Sequence, residues 1–262
     1  MRADDQGLTQ SETSATPPPV AEEDALSWLG TLAPESIALF VTDPPYGINT
    51  KSDGKRKLNP WADLCNAAVF YAQWLDHVRR TLRRDGAAWL CSSWRTFTTM
   101  QRASCLLHWP IESCLVWDKK HIGPGGMRGL RPRYELVLLF AMPDFQIPNR
   151  GLPDIIEVPR PTGKGALGHP AEKPRALGQF LLETSGVAGL VADPFAGSGN
   201  FLAAAAERGH PVTGCEIDPH WCQVANAQIA AAQRVTRTPT QQMDLTYGPP
   251  TSLVFPTEPD PS

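Results

Sequence analysis

The chain has 262 residues, of which 42% are hydrophobic, and this is enough for one sizeable core with a small inserted subdomain. The formal net charge of −3 gives no indication of a nucleic-acid partner, and the acidic excess lies in residues 1–24 and 235–262. No apolar run approaches about 18 residues, and the polar, acidic N-terminus excludes a signal or transit peptide. We therefore expect a cytoplasmic protein with no membrane partner.

Apolar patterns between two polar ends predict alternating strands and helices. Residues 1–20 and 236–262 are rich in polar residues and proline and are predicted to be disordered, which leaves 21–235 as the folded domain. Strands are predicted at Ser36–Thr42, Ala87–Cys91, Ile111–Trp117, Tyr134–Ala141, Ala188–Ala192 and Val212–Glu216. Helices are predicted at Leu64–Arg84, Thr96–Leu107, Lys173–Thr184, Ser198–Arg208 and Pro219–Ala232. This alternation predicts an α/β fold with a mostly parallel, doubly wound sheet.

The tetrapeptide Asp43-Pro44-Pro45-Tyr46 directly follows the first predicted strand. Its two prolines stiffen the loop and remove two N–H donors. Asp43 and the Pro44 carbonyl can then both accept hydrogen bonds from one amino group, while Tyr46 can stack on a flat ring. Two such acceptors favour a tetrahedral nitrogen whose lone pair faces an electrophile, as methylation of an aromatic amine requires. A base would have to leave the duplex to reach this loop. The alternative is a strand end that proline stiffens and that carries no chemistry.

A second loop with candidate binding residues, Asp193–Asn200, lies between a predicted strand and a predicted helix. Gly197 and Gly199 have no Cβ, so the backbone there can pass close to a ligand. Glu216 ends the next predicted strand, where a carboxylate can accept hydrogen bonds from both hydroxyls of a ribose. A dinucleotide dehydrogenase is disfavoured because the third glycine of its fingerprint is missing. A tight turn without a ligand remains the alternative.

In these motifs and in their order, the sequence resembles the β class of DNA amino-methyltransferases, in which the catalytic motif precedes the cofactor motif. The resemblance covers roughly residues 22–232 and implies a Rossmann-like fold that uses S-adenosylmethionine and acts on double-stranded DNA. His169-Pro170-Ala171-Glu172-Lys173-Pro174 resembles the family's HPxxKP segment. Glu23-Asp24-Ala25-Leu26 resembles its Gly-Asp-x-Leu segment, although Glu23 replaces the glycine and no strand pattern precedes it. Similar proteins are phage-borne, orphan or restriction-modification methylases, and many are homodimers.

The resemblance also implies roles for individual residues. Asp43, Pro44, Pro45 and Tyr46 would hold the target base, and an Asp at the first of these positions favours adenine N6 over cytosine N4. RNA or a protein amide is a further alternative substrate. Lys173 would lie near the carboxylate end of the cofactor, and Asp24 near its adenine unless it only begins a helix. The full set of expected cofactor residues is Asp24, Asp43, Lys173, Asp193, Phe195, Ala196, Gly197, Ser198, Gly199, Asn200 and Glu216.

A basic segment with several glycines, Trp117–Tyr134, lies between two predicted strands. It falls where the family places its target-recognition region, which we expect at 117–165, between a catalytic half (21–116) and a cofactor half (166–235). Basic loops suit phosphate contacts, and an arginine can read guanine. The predicted DNA-binding residues are Lys119, Lys120, Arg128, Arg131 and Arg133. A solvated surface loop is the alternative.

A second basic stretch, Lys51–Lys57, could close over a flipped base. The histidines show no metal-ligand spacing, so we expect no metal site.

Overall fold

The structure is a computed structural model that describes residues 17–46, 51–52, 55–56, 64–123, 129–161, 167–169 and 171–236. Its strands are β1 (Val20–Glu22), β2 (Ile37–Thr42), β3 (Lys51–Ser52), β4 (Lys55–Arg56), β5 (Leu82–Ser92), β6 (Ser113–Asp118), β7 (Tyr134–Ala141), β8 (Ile155–Glu157), β9 (Val191–Asp193) and β10 (Val212–Glu216). Its helices are α1 (Ala25–Thr31), α2 (Leu64–Thr81), α3 (Trp94–Leu106), α4 (Arg175–Ser185), α5 (Asn200–Glu207) and α6 (Pro219–Thr236). Of the segments predicted to be disordered, residues 1–16 and 237–262 lie outside the described part of the chain.

Eight strands form one sheet in the order β1-β10-β9-β2-β5-β7-β6-β8. β7 runs antiparallel to both β5 and β6, and the other neighbouring pairs are parallel. Phe40 of β2 lies opposite Ala192 of β9, so these two parallel strands end at the same edge of the sheet. The two predicted motifs, which begin at Asp43 and Asp193, therefore meet at this edge. The expected mostly parallel α/β fold is confirmed.

Helices cover both faces of the sheet. Successive side chains of a strand point to opposite sides, so β2 contributes residues to the core on each face. Phe40 packs with Tyr71 and Trp74 of α2 in one buried cluster, to which α1 and α3 also contribute. Leu39 lies in a second buried cluster with Leu177 of α4 and with residues of α5. A third cluster joins α5, α6 and β1. The loop that carries Asp43 thus starts from a strand that is buried on both faces, which fixes its position.

Two short elements at the N-terminal side were not predicted. β1 pairs in parallel with β10, and the Gly214 amide also donates to the Pro19 carbonyl at 2.9 Å. A strand therefore does precede Glu23 and Asp24, contrary to the sequence expectation. It was missed because three residues are too few to show an alternating pattern. Asp24 is the N-cap of α1, and its carboxylate accepts hydrogen bonds from the amides of Leu26 (3.0 Å) and Ser27 (3.2 Å). Such a side chain stabilises a helix N-terminus.

The end of one long helix differs from the sequence expectation, and a hairpin was not predicted. The helix predicted over Leu64–Arg84 ends at Thr81, because β5 begins at Leu82 and pairs with Ile37 of β2. Within the basic stretch Lys51–Lys57, β3 and β4 form a two-stranded antiparallel hairpin, and its remaining residues lie outside the described ranges. In the described ranges, none of the helices is long and apolar enough to span a membrane.

Candidate active site

Asp43 is mostly buried at the carboxyl end of β2, and its two carboxylate oxygens have different surroundings. Oδ2 accepts a hydrogen bond from Nζ of Lys173 at 2.5 Å. Oδ1 is buried and has no hydrogen-bond partner among the described residues. A buried acceptor without a donor costs free energy, of the order of 1–3 kcal/mol. A donor that reached this oxygen of Asp43 would therefore be bound favourably.

The loop is held from α2 by a residue that sequence reasoning missed. The hydroxyl of Tyr71 donates to the carbonyl oxygen of Pro45 at 2.6 Å. Burial raises the pKa of Tyr71, and the nearby Asp43 carboxylate raises it further, so the hydroxyl stays a donor. Tyr71 occupies an apolar position of an amphipathic helix, and nothing in that pattern distinguishes it from an ordinary core residue.

A cluster of mostly buried charges lies beside the tetrapeptide Asp43–Tyr46. Glu135 of β7 accepts hydrogen bonds from Nζ of Lys119 at 3.1 Å and from the hydroxyl of Tyr46 at 3.1 Å. Its carboxylate also lies 3.2 Å from Nζ of Lys173. Burial by itself raises the pKa of Glu135, but the ammonium groups of Lys173 and Lys119 outweigh this and lower it. The cluster thus pairs two carboxylates, Asp43 and Glu135, with two lysines.

The loop Asp193–Asn200 is shaped by its own hydrogen bonds. Oδ1 of Asp193 accepts from Thr42 Oγ1 at 2.5 Å and from the Phe195 amide at 3.0 Å. Burial raises the pKa of Asp193 to about 7. The Gly197 amide donates to Oε2 of Glu216 at 2.8 Å, and Gly197 has a left-handed φ of +51°. These bonds tie the loop to the ends of β2 and β10.

A cavity of about 480 Å³ opens between the two motifs. Its walls include Glu216 and most of the predicted cofactor residues, together with the catalytic tetrapeptide. Phe70, Phe201 and Ile217 add apolar walls that sequence reasoning did not single out. Asp24 lines the cavity and also caps α1, so both of its predicted positions are compatible with the structure. The predicted site residues that line this cavity are Asp24, Asp43, Pro44, Pro45, Tyr46, Lys173, Asp193, Phe195, Ala196, Gly197, Ser198, Asn200 and Glu216.

Two of the predicted cofactor residues make contacts that stabilise the fold. Gly199 is not part of the cavity wall, and a Cβ there would lie 2.7 Å from Cα of Ala225 in α6. Asn200 lines the cavity, but its side-chain amide donates to Glu172 Oε1 at 3.1 Å and to the Lys173 carbonyl at 2.9 Å. Both residues hold the start of α5 against neighbouring segments.

The predicted DNA-binding cations have unequal surroundings. Lys119 is 8% exposed and pairs with Glu135, so the structure places it in the interior and not on a surface that phosphates could reach. Arg133 is exposed and binds both carboxylate oxygens of Asp118 at 2.8 and 2.6 Å. Lys120 pairs with Glu157, and the Arg131 guanidinium donates to two loop carbonyls. Arg128 lies outside the described residues.

Comparison with known proteins identifies the family. Residues 37–227 match the model of the DNA methylase family of N6 and N4 amino-methyltransferases, which is more than half of the chain. The chain belongs to this family. The family acts on DNA and uses S-adenosylmethionine.

Among the relatives of this methylase, the DNA adenine methyltransferase YhdJ of Escherichia coli (strain K12) is 23% identical over 247 residues, which cover 80% of this chain and 81% of YhdJ. The solved complex of M1.HpyAVI with S-adenosylmethionine matches 80% of this chain and 98% of its own, with 16% identity and a TM-score of 0.62. The cytosine-N4-specific PvuII DNA methyltransferase matches 82% of this chain and 91% of its own, with 16% identity and a TM-score of 0.61. At this identity the solved structures establish the S-adenosylmethionine-dependent methyltransferase fold.

Proposed function

We propose that this methylase transfers a methyl group from S-adenosylmethionine to the N6 amine of an adenine flipped out of double-stranded DNA. The observation that carries the proposal is Asp43 in the cavity wall, whose buried Oδ1 has no hydrogen-bond partner among the described residues. A buried acceptor is suited to the N–H donors of an exocyclic amine. Lys173 donates a hydrogen bond to the other oxygen, which restrains rotation of the carboxylate.

The residues of the cavity fit S-adenosylmethionine. Glu216 presents a carboxylate for the ribose hydroxyls, and the left-handed Gly197 leaves the backbone of the loop open to a ligand. Asp193 and Phe195 would contact the methionine side of the cofactor, and Asp24 its adenine. Lys173 has three N–H donors, two of which face Asp43 and Glu135, so one remains for the cofactor carboxylate. When bound, the cofactor supplies an electrophilic methyl group.

At the target base, the loop residues orient the amine. Oδ1 of Asp43 and the Pro44 carbonyl would accept its two hydrogens, which turns the nitrogen lone pair toward the methyl donor. Tyr46 would stack on the base, and Tyr71 keeps the loop in place through the Pro45 carbonyl. No covalent bond to the protein is needed, and the surplus proton leaves to solvent after transfer.

The choice of adenine is supported by the Asp at the head of the tetrapeptide and by the likeness to YhdJ, which is named an adenine methyltransferase. Cytosine N4 is the second candidate, because the fold is also similar to that of the cytosine-N4-specific PvuII enzyme. The exposed cations Lys120, Arg131 and Arg133 are proposed to contact DNA phosphates, together with Arg128. A cytoplasmic restriction-modification or orphan role and a homodimer remain part of this proposal.

Substitution of Asp43 tests the assignment. Asp43→Ala removes the acceptor for the amine, so transfer of tritiated methyl groups to duplex DNA should fall by at least about 100-fold, the usual cost of losing an oriented electrostatic group. The matched control is Asp144→Ala, which removes an exposed carboxylate that pairs with Arg84 at the surface. Circular dichroism should show both variants folded. Full activity of Asp43→Ala, or methylation of RNA in preference to duplex DNA, would contradict the proposal.

A further inference from the structure

Glu135 connects three parts of the molecule through one carboxylate. Oε2 accepts a hydrogen bond from the Tyr46 hydroxyl at 3.1 Å and lies 3.2 Å from Nζ of Lys173. Oε1 accepts from Nζ of Lys119 at 3.1 Å. Glu135 is the second residue of β7, which lies between β5 and β6, so a strand paired on both sides carries it.

The partners of Glu135 are the groups that define the catalytic loop. Tyr46 is the aromatic residue of the tetrapeptide, and Lys173 fixes Asp43 through the 2.5 Å hydrogen bond to Oδ2. The side chains of Lys173 and Lys119 are each 9% exposed and that of Glu135 is 20% exposed, so water screens their interactions weakly. Because the two lysines balance the two carboxylates, loss of one charge leaves an uncompensated charge in the interior.

The same carboxylate closes the base of the predicted DNA-reading segment. Lys119 directly follows β6 and Glu135 lies near the start of β7, and the Lys119 amide also donates to the Arg133 carbonyl at 3.1 Å. Among the described residues between these two points are the exposed cations Lys120, Arg131 and Arg133, which are proposed to bind DNA. A shift of this segment would displace Lys119 relative to Glu135 and so act on both Tyr46 and Lys173.

We propose that Glu135 is a positioning residue for methyl transfer, which holds Tyr46 directly and Asp43 through Lys173, and that Lys119 links this arrangement to the DNA-reading segment. The inference rests on the proposed function, because it takes Asp43 and Tyr46 to be the residues that hold the base. It assigns Lys119 to the interior link and not to contact with phosphates.

Kinetics of Glu135→Gln test the positioning role. The amide keeps the size of the side chain but loses the charge, so the kcat for genomic DNA from a methylation-free strain should fall about 10- to 100-fold. The KM for S-adenosylmethionine should change less than kcat, since Glu135 is not part of the cavity wall and Lys173 keeps its hydrogen bond to Asp43. The matched control is Glu183→Gln, which removes an exposed carboxylate paired with Arg208 and should keep the wild-type kcat.

The pH dependence of kcat separates this role from a merely structural one. Burial by itself lowers the pKa of Lys173, but the carboxylates of Asp43 and Glu135 raise it above its ordinary value. Titratable groups that act on Lys173 or lie around it are Asp43, Tyr46, Cys91, Lys119, Glu135 and His169. Without the Glu135 charge, the pKa of Lys173 falls toward its ordinary value, so the kcat of Glu135→Gln should decline at an alkaline pH where the wild type still keeps its full rate. An unchanged kcat and an unshifted profile for Glu135→Gln would overturn the proposal.

A double-substitution cycle tests the link through Lys119. If Lys119 acts only through Glu135, Lys119→Met lowers kcat with an unchanged KM for DNA, and the double variant is no slower than Glu135→Gln alone. If Lys119 contacts DNA directly, its substitution raises the KM for DNA and the two losses multiply, which would overturn the link. The double variant removes one charge of each sign, so it also supplies the measurement should Glu135→Gln fail to fold.

The proposed function is tested by a measurement that does not depend on the role of Glu135. Mass spectrometry of the wild-type product shows which base carries the methyl group. The ratio of variant to wild-type rates is then measured on whichever base that is. A product of N4-methylcytosine would thus overturn the adenine assignment while the ratio still decides the role of Glu135.

Discussion

At the scale of single residues, the site depends on side chains that hold other groups in place. Lys173 donates a hydrogen bond to one carboxylate oxygen of Asp43, and the other has no partner among the described residues. The Tyr71 hydroxyl donates to the Pro45 carbonyl. Glu135 in turn holds Lys173 and Tyr46. Oriented acceptors of this kind need no reorganisation during the reaction, which is the main source of electrostatic catalysis.

Removal of the Tyr71 hydroxyl tests the support of the loop. Tyr71→Phe keeps the ring in the core but leaves the Pro45 carbonyl without its 2.6 Å donor. We expect a loss of about 1 kcal/mol in the free energy of unfolding and a fall of up to about tenfold in kcat, because the loop is less well oriented. Urea unfolding and methyl-transfer kinetics measure both. Tyr134→Phe, at a residue 43% exposed, is the control. Equal effects in the two variants would contradict the role of Tyr71.

The pKa of Asp193 predicts a pH dependence of stability. Burial raises the pKa of Asp193 to about 7 in the folded protein, from an ordinary value of 3.8. The folded state therefore favours the protonated form, so this contribution is complete below about pH 4 and is lost as the pH rises toward 7. The loss amounts to at most about 4 kcal/mol, at 1.36 kcal/mol for each pKa unit.

Asp193→Asn should remove this dependence, because the amide oxygen can still accept from Thr42 and from the Phe195 amide without carrying a charge. Urea unfolding of both proteins between pH 5 and 8 gives the comparison. The unfolding free energy of the Asp193→Asn variant should rise relative to that of the wild type as the pH increases through this range. A difference that stays constant across the range would show that Asp193 is ionised throughout.

At the scale of elements, the turn from β9 into α5 makes different demands on its two glycines. Gly199 has a φ of +80°, and a Cβ there would lie 2.7 Å from the Ala225 backbone. Gly197 has a φ of +51°, but its nearest neighbour would be the His169 ring at 3.4 Å, an ordinary contact. Close packing between α5 and α6 therefore requires glycine at 199, whereas backbone conformation alone favours it at 197.

Alanine at each position tests this distinction. Gly199→Ala should destabilise the fold by about 3 kcal/mol or more, since strain adds to overpacking. Gly197→Ala should cost about 1–2 kcal/mol, the penalty of a left-handed alanine. Urea unfolding of the two variants beside the wild type measures the difference. A larger loss for Gly197→Ala would mean that the contact with α6 is not the decisive constraint.

The elements also show which features a sequence can reveal. Apolar runs that alternate with helical patterns along the chain predicted the central strands. The motifs that follow β2 and β9 predicted where the candidate site forms. β1 was missed because three residues carry no period, and its stability comes from pairing with β10. Glu135 and Tyr71 were missed because their partners lie far away in the chain. Lys119 was assigned to the surface because spacing alone cannot show that a basic residue is buried beside a carboxylate.

At the scale of the whole molecule, sheet order brings the two sequence motifs together. β2 and β9 are neighbours in the middle of the sheet, so the loop Asp43–Tyr46 and the loop Asp193–Asn200 face one cavity. In the proposed function, the target base leaves the duplex to reach Asp43 in that cavity. The central claim is therefore that Asp43 directs methyl transfer to the N6 amine of adenine.

The most direct measurement is mass spectrometry of nucleosides from the DNA of a methylation-free host that expresses this methylase. We predict N6-methyladenine with the wild-type chain and none with Asp43→Ala at equal expression. N4-methylcytosine in place of N6-methyladenine, or N6-methyladenine that persists in Asp43→Ala, would contradict this claim.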